Sequence, residues 1–180
     1  MHFGLIRSYK RWRHGRGFGV HSPFAYEFIT LTLRERLPYY AYERIDAACR
    51  NLSDTTLRPD KIKLIFRVVA KFSPSTVAII GESNSKAERL AVKSARQSAS
   101  IVGEPDDADM VIVNDDCCLG EPSSAGQRVY IFPDMRRRSA TTCETLWSRV
   151  SHGIRFDNGR AMTIIIASPR FPRQRFDVWF

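Results

Sequence analysis

The sequence lacks the features that mark several common classes of protein. Its four cysteines, Cys49, Cys117, Cys118 and Cys143, form no C-x-x-C pair, and the adjacent two are poorly placed to bridge each other. We therefore expect reduced thiols, no structural zinc and a cytoplasmic protein. No apolar run approaches the length of a membrane span, and the stretch before the first charges is too short for a signal peptide.

Three motifs of nucleotide binding and catalysis are also missing. The chain has no Gly-Lys-Ser/Thr ending of a P-loop, no G-x-G-x-x-G turn and no G-x-S-x-G nucleophile motif. His21 stands directly before Ser22 and Pro23, where a role in fixing a helix start is simpler than a role as a base. Nothing near His152 suggests catalysis.

Acidic residues are scarce relative to basic ones. The chain has 19 Asp and Glu against 28 Lys and Arg, which gives a formal net charge of +9. The excess crowds two segments, namely Arg7, Lys10, Arg11, Arg13 and Arg16 at the start, and Arg136, Arg137 and Arg138 later. This excess of basic residues indicates either a solvated surface or a surface that binds an anionic partner such as nucleic acid. No recognised nucleic-acid-binding motif is present.

The hydrophobic pattern divides the chain into two parts. Residues 1–72 have helical periodicity, and residues 73–180 alternate short apolar runs with helices. We expect an N-terminal helical segment packed on an α/β core, with both parts forming one compact domain.

The first part contains three predicted helices. Ser22 is the expected N-cap of the first, with Phe24, Phe28 and Leu31 on its buried face and Pro38 at its end. The second covers "YYAYERIDAACRNL", and the third runs from about Pro59 to Phe72.

The second part contains β-rich runs that are typical of buried parallel strands. These runs are Val77 to Ile80, Ser100 to Val102, Met110 to Val113 and Val129 to Phe132. Asn158-Gly159 predicts a hairpin, and Phe176, Val178 and Phe180 alternate with Arg175, Asp177 and Trp179 in a last strand. The expected fold is therefore α/β, with a mostly parallel sheet that finishes in antiparallel strands.

The loop from Gly81 to Ser85 follows the first predicted strand and leads into a helix. Ligands of open α/β sheets bind at such turns, because backbone amides are free there. A lone glycine is a weak signal, since many turns need one for its backbone freedom alone.

Four segments together resemble bacterial class I S-adenosylmethionine-dependent methyltransferases, and most closely a Bacteroidetes group with an "HSPF" N-terminal signature. They are "RHGRGFGVHSPFAYEFI", "KIKLIFRVVAKFSPSTVAIIGES", "DADMVIVNDD" and "FDNGRAMTIIIASPRFPRQRFDVWF". The resemblance implies a Rossmann-like methyltransferase fold, the cofactor S-adenosylmethionine and an unidentified methyl acceptor.

The family's first motif falls on Ile79, Gly81 and Ser85, and only Gly81 is kept. The resemblance implies that Gly81, Glu82, Ser83 and Ser85 border the cofactor. Ile79 replaces an acid and Ser85 replaces a glycine, and both changes count against tight binding. Glu82 is a substitute for the lost acid only if it points into the site.

The family's later motifs fall on the ends of the next two strands. Glu104 is the candidate residue that binds the ribose hydroxyls. However, only "EPDDAD", which begins with Glu104, separates its strand from the next, and so short a connection indicates that one strand-helix unit is deleted. Asn114 and Asp115 are the implied catalytic residues that face the acceptor. The neighbouring carboxylates of Asp115 and Asp116 could perform acid/base work or hold a divalent cation, but residues of this kind more often form turns. We expect no metal.

These departures leave two functions open. One is methyl transfer by a divergent enzyme. The other is a noncatalytic interaction module of the same fold, which binds an anionic partner through its arginines.

Overall fold

A computed structural model describes residues 20–51, 57–81, 85–122, 126–136 and 139–180. The basic N-terminal segment, Glu82, Ser83, Arg137 and Arg138 lie outside these ranges. Within the described part, no helix is both long and apolar enough to cross a membrane.

Five described helices surround a seven-stranded sheet. The helices are α1 (Pro23–Phe28), α2 (Ala41–Asn51), α3 (Pro59–Phe72), α4 (Ser85–Ala95) and α5 (Ser139–Arg149). The strands are β1 (Thr76–Ile80), β2 (Ser100–Val102), β3 (Met110–Val113), β4 (Arg128–Phe132), β5 (Gly153–Asp157), β6 (Thr163–Ala167) and β7 (Gln174–Asp177).

The sheet is mixed, and one strand opposes the others. Its order is β2-β1-β3-β4-β6-β5-β7, and β6 is antiparallel to both β4 and β5. All other neighbouring pairs are parallel. The predicted α/β class is confirmed, and the arrangement is consistent with a Rossmann-like methyltransferase fold.

The hairpin predicted at Asn158-Gly159 is the connection between β5 and β6, and Gly159 adopts a φ of 58° there. The last strand, β7, is parallel to β5 rather than antiparallel to a neighbour. The alternating pattern of Phe176 and Val178 predicted a strand with one buried face, and both side chains are buried. The predicted antiparallel ending is therefore confirmed by β6 but not by β7, because alternation carries no information about strand direction.

The first helix differs from its prediction. Ser22 caps α1 by accepting a hydrogen bond from the Ala25 amide, as expected. However, the helix continues as a π-helical turn over Ile29–Leu33 and ends at Leu33, before Pro38. The wider turn rotates Ile29 and Leu33 into the core and leaves Leu31 62% exposed, so the predicted place of Leu31 on the buried face is wrong.

Each face of the sheet has its own apolar cluster. Phe28, Ile65, Ala91 and Ile112 belong to the cluster that joins α1, α3 and α4 to the sheet. On the opposite face Cys143, Leu146 and Trp147 of α5, with Val150 just after it, belong to the second cluster. Helices from residues 1–72 and strands from residues 73–180 therefore share one core.

A network of charged side chains lies on the second face of the sheet, beside β5. The guanidinium of Arg155 is buried, donates from Nε to both oxygens of Asp157, and forms a paired hydrogen bond to Glu144 of α5. Asp157 also accepts from Nε of Arg175 and from the Thr163 hydroxyl. The hydrogen bonds from Arg155 lower the pKa of Glu144. This buried network ties α5 to three strands.

Candidate functional site

The strand order defines where a ligand of this sheet would bind. The chain passes from β1 to β2 on one side and then returns to β3 on the other side of β1. In open α/β sheets, ligands bind outside the carboxyl ends of the strands at such a reversal. The candidate site is therefore the crevice between the carboxyl ends of β1 and β3.

The strand register brings the predicted residues to the same level at the carboxyl edge of the sheet. Ile80 pairs with Val113, and the Asn114 amide donates to the Ile80 carbonyl at 2.9 Å, so Gly81 and Asn114 are adjacent. Extending the pairing of Ala78 with Val102 places Glu104 at the same edge, after β2. The structure thus brings Gly81, Asn114 and Glu104 to neighbouring strand ends.

The connection that contains Glu104 is unusually short. Seven residues, 103–109, join β2 to β3, and they include a single 3₁₀ turn over Pro105–Asp107 that crosses β1. The passage has no helix and no further strand, in agreement with the predicted deletion. Glu104 is exposed at its start, without a cap hydrogen bond from its side chain.

Gly81 is held closely by the neighbouring strand end. It adopts a φ of +88°, and a Cβ at this position would lie 3.2 Å from the Cβ atoms of both Asn114 and Asp115. Both the conformation and the space therefore require glycine. This requirement comes from the packing of the chain itself and needs no ligand to explain it.

A buried carboxyl group that sequence reasoning missed lies in the same place. Glu88 of α4 is fully buried, and its Oε2 accepts a 2.7 Å hydrogen bond from Nδ2 of Asn114. Its Oε1 is also buried and has no hydrogen-bond partner among the residues that the structure describes. The signal in the sequence was spacing: Glu88 stands four residues before Val92, on the face that Ala87 and Ala91 bury.

Burial changes the charge of this group. Desolvation raises the pKa of Glu88 to about 8, and the hydrogen bond from Asn114 offsets only part of that effect. At neutral pH the side chain is therefore mostly a neutral carboxylic acid. Because Asn114 donates to Oε2, the acid proton belongs on Oε1, the atom that lacks a partner.

The two aspartates after β3 have different surroundings from Glu88. Asp115 is exposed and its Oδ1 accepts from the Asp116 amide at 2.9 Å. Asp116 accepts a hydrogen bond from the Thr142 hydroxyl of α5. These contacts are those of turn formers. Among the described residues, no group of three or more His, Cys, Asp and Glu side chains is placed to hold a metal ion.

The remaining predicted residues are only partly described. Ser85 is the first residue of α4 and is half-buried, while Ile79, which stands at the family's acidic position, packs partly against the core. Glu82 and Ser83 lie outside the described residues, and their predicted cofactor contacts stay predictions. The same holds for the basic N-terminal segment.

The residues present fit the implied cofactor in part. The unpartnered Oε1 of Glu88 is a buried polar atom of the kind that a ligand or water satisfies. Glu104 offers an exposed carboxylate at the end of the neighbouring strand, where two hydroxyls could be bound. Ile79 and Ser85, in contrast, stand where the resembling family has an acid and a glycine, so two of the implied cofactor contacts lack their usual residues.

Comparisons with known proteins give only a distant likeness. No family model matches the chain, and no curated protein sequence matches it. Four chains of solved structures match. One is the O-methyltransferase TomG from Streptomyces achromogenes, involved in tomaymycin synthesis and crystallised in complex with SAM. It is 13% identical, the alignment covers 78% of this chain and 94% of that chain, and the TM-score is 0.36. A likeness this distant carries no argument about the site.

Proposed function

We propose that this chain is a divergent methyltransferase-type protein that binds S-adenosylmethionine in the crevice between β1 and β3 and methylates an unidentified acceptor. One observation carries the proposal: Glu88 and Asn114 form a buried polar pair at the strand reversal, and Oε1 of Glu88 has no partner in the described part of the chain. Core packing alone does not favour a buried acid with an unsatisfied oxygen, because such a group costs free energy.

The roles of the side chains follow from their exposure and charge. Glu88 is neutral at neutral pH and can donate a hydrogen bond, but it is not a base there. Glu104 is the exposed carboxylate for the ribose hydroxyls. Asp115 is exposed at the end of β3 and can accept a proton or a hydrogen bond from the acceptor. The cofactor supplies an activated methyl group, so the contribution of the chain is mainly positioning.

A noncatalytic interaction module of the same fold is the second candidate. The close packing of Gly81 against Asn114 and Asp115 favours the interaction module, because this packing explains why a glycine is needed there without any ligand. The short passage from β2 to β3 also removes a strand-helix unit that would wall the adenosine side of the crevice. In this case the partner is anionic, such as nucleic acid, and binds through the basic surface.

Calorimetric titration with S-adenosylmethionine and S-adenosylhomocysteine separates the two candidates. Glu104→Ala is the site variant, because its side chain is exposed and its removal spares the core. Asp107→Ala is the matched control, since it removes an exposed carboxylate from the same 3₁₀ turn. Loss of one charge-assisted hydrogen bond corresponds to roughly ten-fold weaker binding.

The proposal expects micromolar binding that Glu104→Ala weakens about ten-fold and Asp107→Ala leaves unchanged. Absence of heat with millimolar ligand would contradict it and favour the interaction module. Equal loss in both variants would mean that binding depends on the general charge of this turn, which also contradicts the proposed role of Glu104.

A further inference from the structure

A cavity lies at the same edge of the sheet, beside the ends of β5 and β7. Its volume is about 830 Å³, and its walls come from the start of α3, the segment after the π-helical turn, the β5–β6 turn and the residues after β7. Lys61 ties these walls together, because its Nζ donates to the Pro133 carbonyl at 2.7 Å and to the Ala161 carbonyl at 2.8 Å. Among the described residues, neither Gly81 nor Asn114 lines this cavity.

The lining of the cavity is strongly basic. Two carboxylates line it, those of Glu35 and Asp60. Six cationic side chains line it: Arg34, Arg36, Arg58, Lys61, Lys63 and Arg67. A cavity in this range of volume suits a small molecule. Arg58 is paired with Asp60 and Lys63 with Asp46, and the other four cations still outnumber Glu35, so the charge balance selects an anionic one.

Arg67 provides a fixed positive charge in the wall. Its Nε donates to the Thr32 carbonyl at 2.7 Å, Nη1 to the Tyr42 hydroxyl at 3.0 Å and Nη2 to the Leu33 carbonyl at 3.1 Å. All three acceptors are neutral, so they orient the guanidinium without cancelling its charge. A guanidinium has five N–H donors, and these contacts leave two for a ligand.

Two further side chains complete the arrangement. The Arg36 guanidinium has no hydrogen-bond or ion-pair partner within the described ranges, although the backbone amide of Arg36 donates to Glu35. Trp179, which follows β7, also lines the cavity and is 52% exposed. An exposed indole beside arginines can stack on a flat ring while the arginines hold a phosphate.

We propose that this cavity binds a mononucleotide, with its phosphate at Arg36 and Arg67 and its base against Trp179. The combination of oriented guanidinium, unpaired guanidinium and exposed indole within one cavity carries the proposal. Inorganic phosphate satisfies only the arginines, and a nucleoside satisfies only the indole. The proposal holds whether or not the crevice at Gly81 binds a cofactor.

Calorimetric titration of the full chain with the four ribonucleoside monophosphates tests the proposal, with uridine and inorganic phosphate as separate arms. Arg36→Ala is the main variant, because Arg36 supports no other described side chain. Arg170→Ala is its matched control, since Arg170 is exposed and does not line the cavity. Trp179→Phe tests the ring contact, and thermal unfolding confirms that each variant is folded.

At least one monophosphate should bind with a dissociation constant below the millimolar range, and more tightly than either uridine or phosphate. Arg36→Ala should weaken that binding roughly ten-fold, and Arg170→Ala should leave it unchanged. Absence of binding by all four would overturn the proposal. So would phosphate that binds as tightly as the nucleotide, or an oligonucleotide that binds in place of all four monophosphates.

Glu104→Ala separates this site from the crevice at Gly81. Nucleotide binding should survive that substitution, whereas binding of S-adenosylmethionine should weaken. Loss of nucleotide binding in Glu104→Ala but not in Arg36→Ala would place the nucleotide at the crevice and contradict the inference, without bearing on methyl transfer.

Discussion

Nδ2 of Asn114 donates a 2.7 Å hydrogen bond to Oε2 of Glu88, and both side chains are buried. Asn114 follows β3, and Glu88 lies in the helix that follows the Gly81 loop. The bond therefore joins the two elements that border the candidate crevice. Its strength depends on the protonation of Glu88, and this makes the pair accessible to experiment.

Stability should fall as the pH rises through the range in which Glu88 titrates. Between about pH 4.5 and about pH 8 the folded chain keeps the Glu88 proton, whereas the unfolded chain loses it. The unfolded state then binds fewer protons, so the free energy of unfolding decreases with increasing pH. Each unit of pKa difference corresponds to about 1.4 kcal/mol, so the contribution of this one group is a few kcal/mol.

Glu88→Gln removes that contribution, because glutamine does not titrate. Urea denaturation at pH 5 and pH 8 should show a smaller loss of stability in the variant than in the parent, and a more stable variant at pH 8. Glu104→Gln, at an exposed position, should keep the parent's pH dependence. An identical loss in the parent and in Glu88→Gln would show that Glu88 has an ordinary pKa.

Removing the other partner should be costly. Asn114→Ala removes the hydrogen bond that the buried Glu88 carboxyl accepts among the described residues, and an unsatisfied buried polar group costs about 1–3 kcal/mol. The combined Asn114→Ala and Glu88→Leu variant, with each single variant, completes a double-mutant cycle in urea denaturation, because leucine removes the acceptor that glutamine would keep. Strictly additive losses would indicate that the two side chains do not interact.

Gly81→Ala should destabilise the chain by about 1–3 kcal/mol, because it forces a side chain into a positive-φ conformation. The added Cβ would also lie 3.2 Å from Asn114 Cβ and from Asp115 Cβ. Gly103→Ala is the matched control, since nothing lies within 4 Å of its Cβ position and its φ is not in the positive region. Equal losses in urea denaturation would contradict the strained geometry at Gly81.

The fold was largely predictable because its patterns are local. The stripe of α3 and the β-rich run of β3 each depend on a few neighbouring residues, and their predicted bounds agree with the structure. The π-helical turn was not predictable in this way. Leu31 continues the α-helical spacing from Phe24 and Phe28, but the wider turn at Ile29 shifts the face that meets the core.

The candidate site was less predictable, because it depends on contacts between distant segments. Gly81 was identified from its position after a predicted strand, and Asn114 from the resemblance to a family motif. Glu88 was missed because its burial depends on how α4 packs against the sheet. The basic cavity was missed for the same reason: Arg36, Arg67 and Trp179 are separated in sequence, and only the fold assembles them.

The buried network at β5 should be a main source of stability on the second face. Arg155→Met removes the buried guanidinium that bonds both oxygens of Asp157, leaves the half-exposed Arg175 as the cation on that carboxylate, and also frees Glu144 of α5. Loss of one member of a buried ion pair costs about 3–5 kcal/mol when the remaining charge is uncompensated, and the contact from Arg175 places the expected cost at the lower end of that range, about 3 kcal/mol. Arg175→Met is the matched comparison: Arg175 contacts the same carboxylate but is 45% exposed, so its loss should cost less than about 1 kcal/mol.

Urea denaturation of both variants at neutral pH measures the difference. Similar losses would mean that Arg155 and Arg175 share the charge of Asp157 equally, and that burial of Arg155 adds nothing to the pairing.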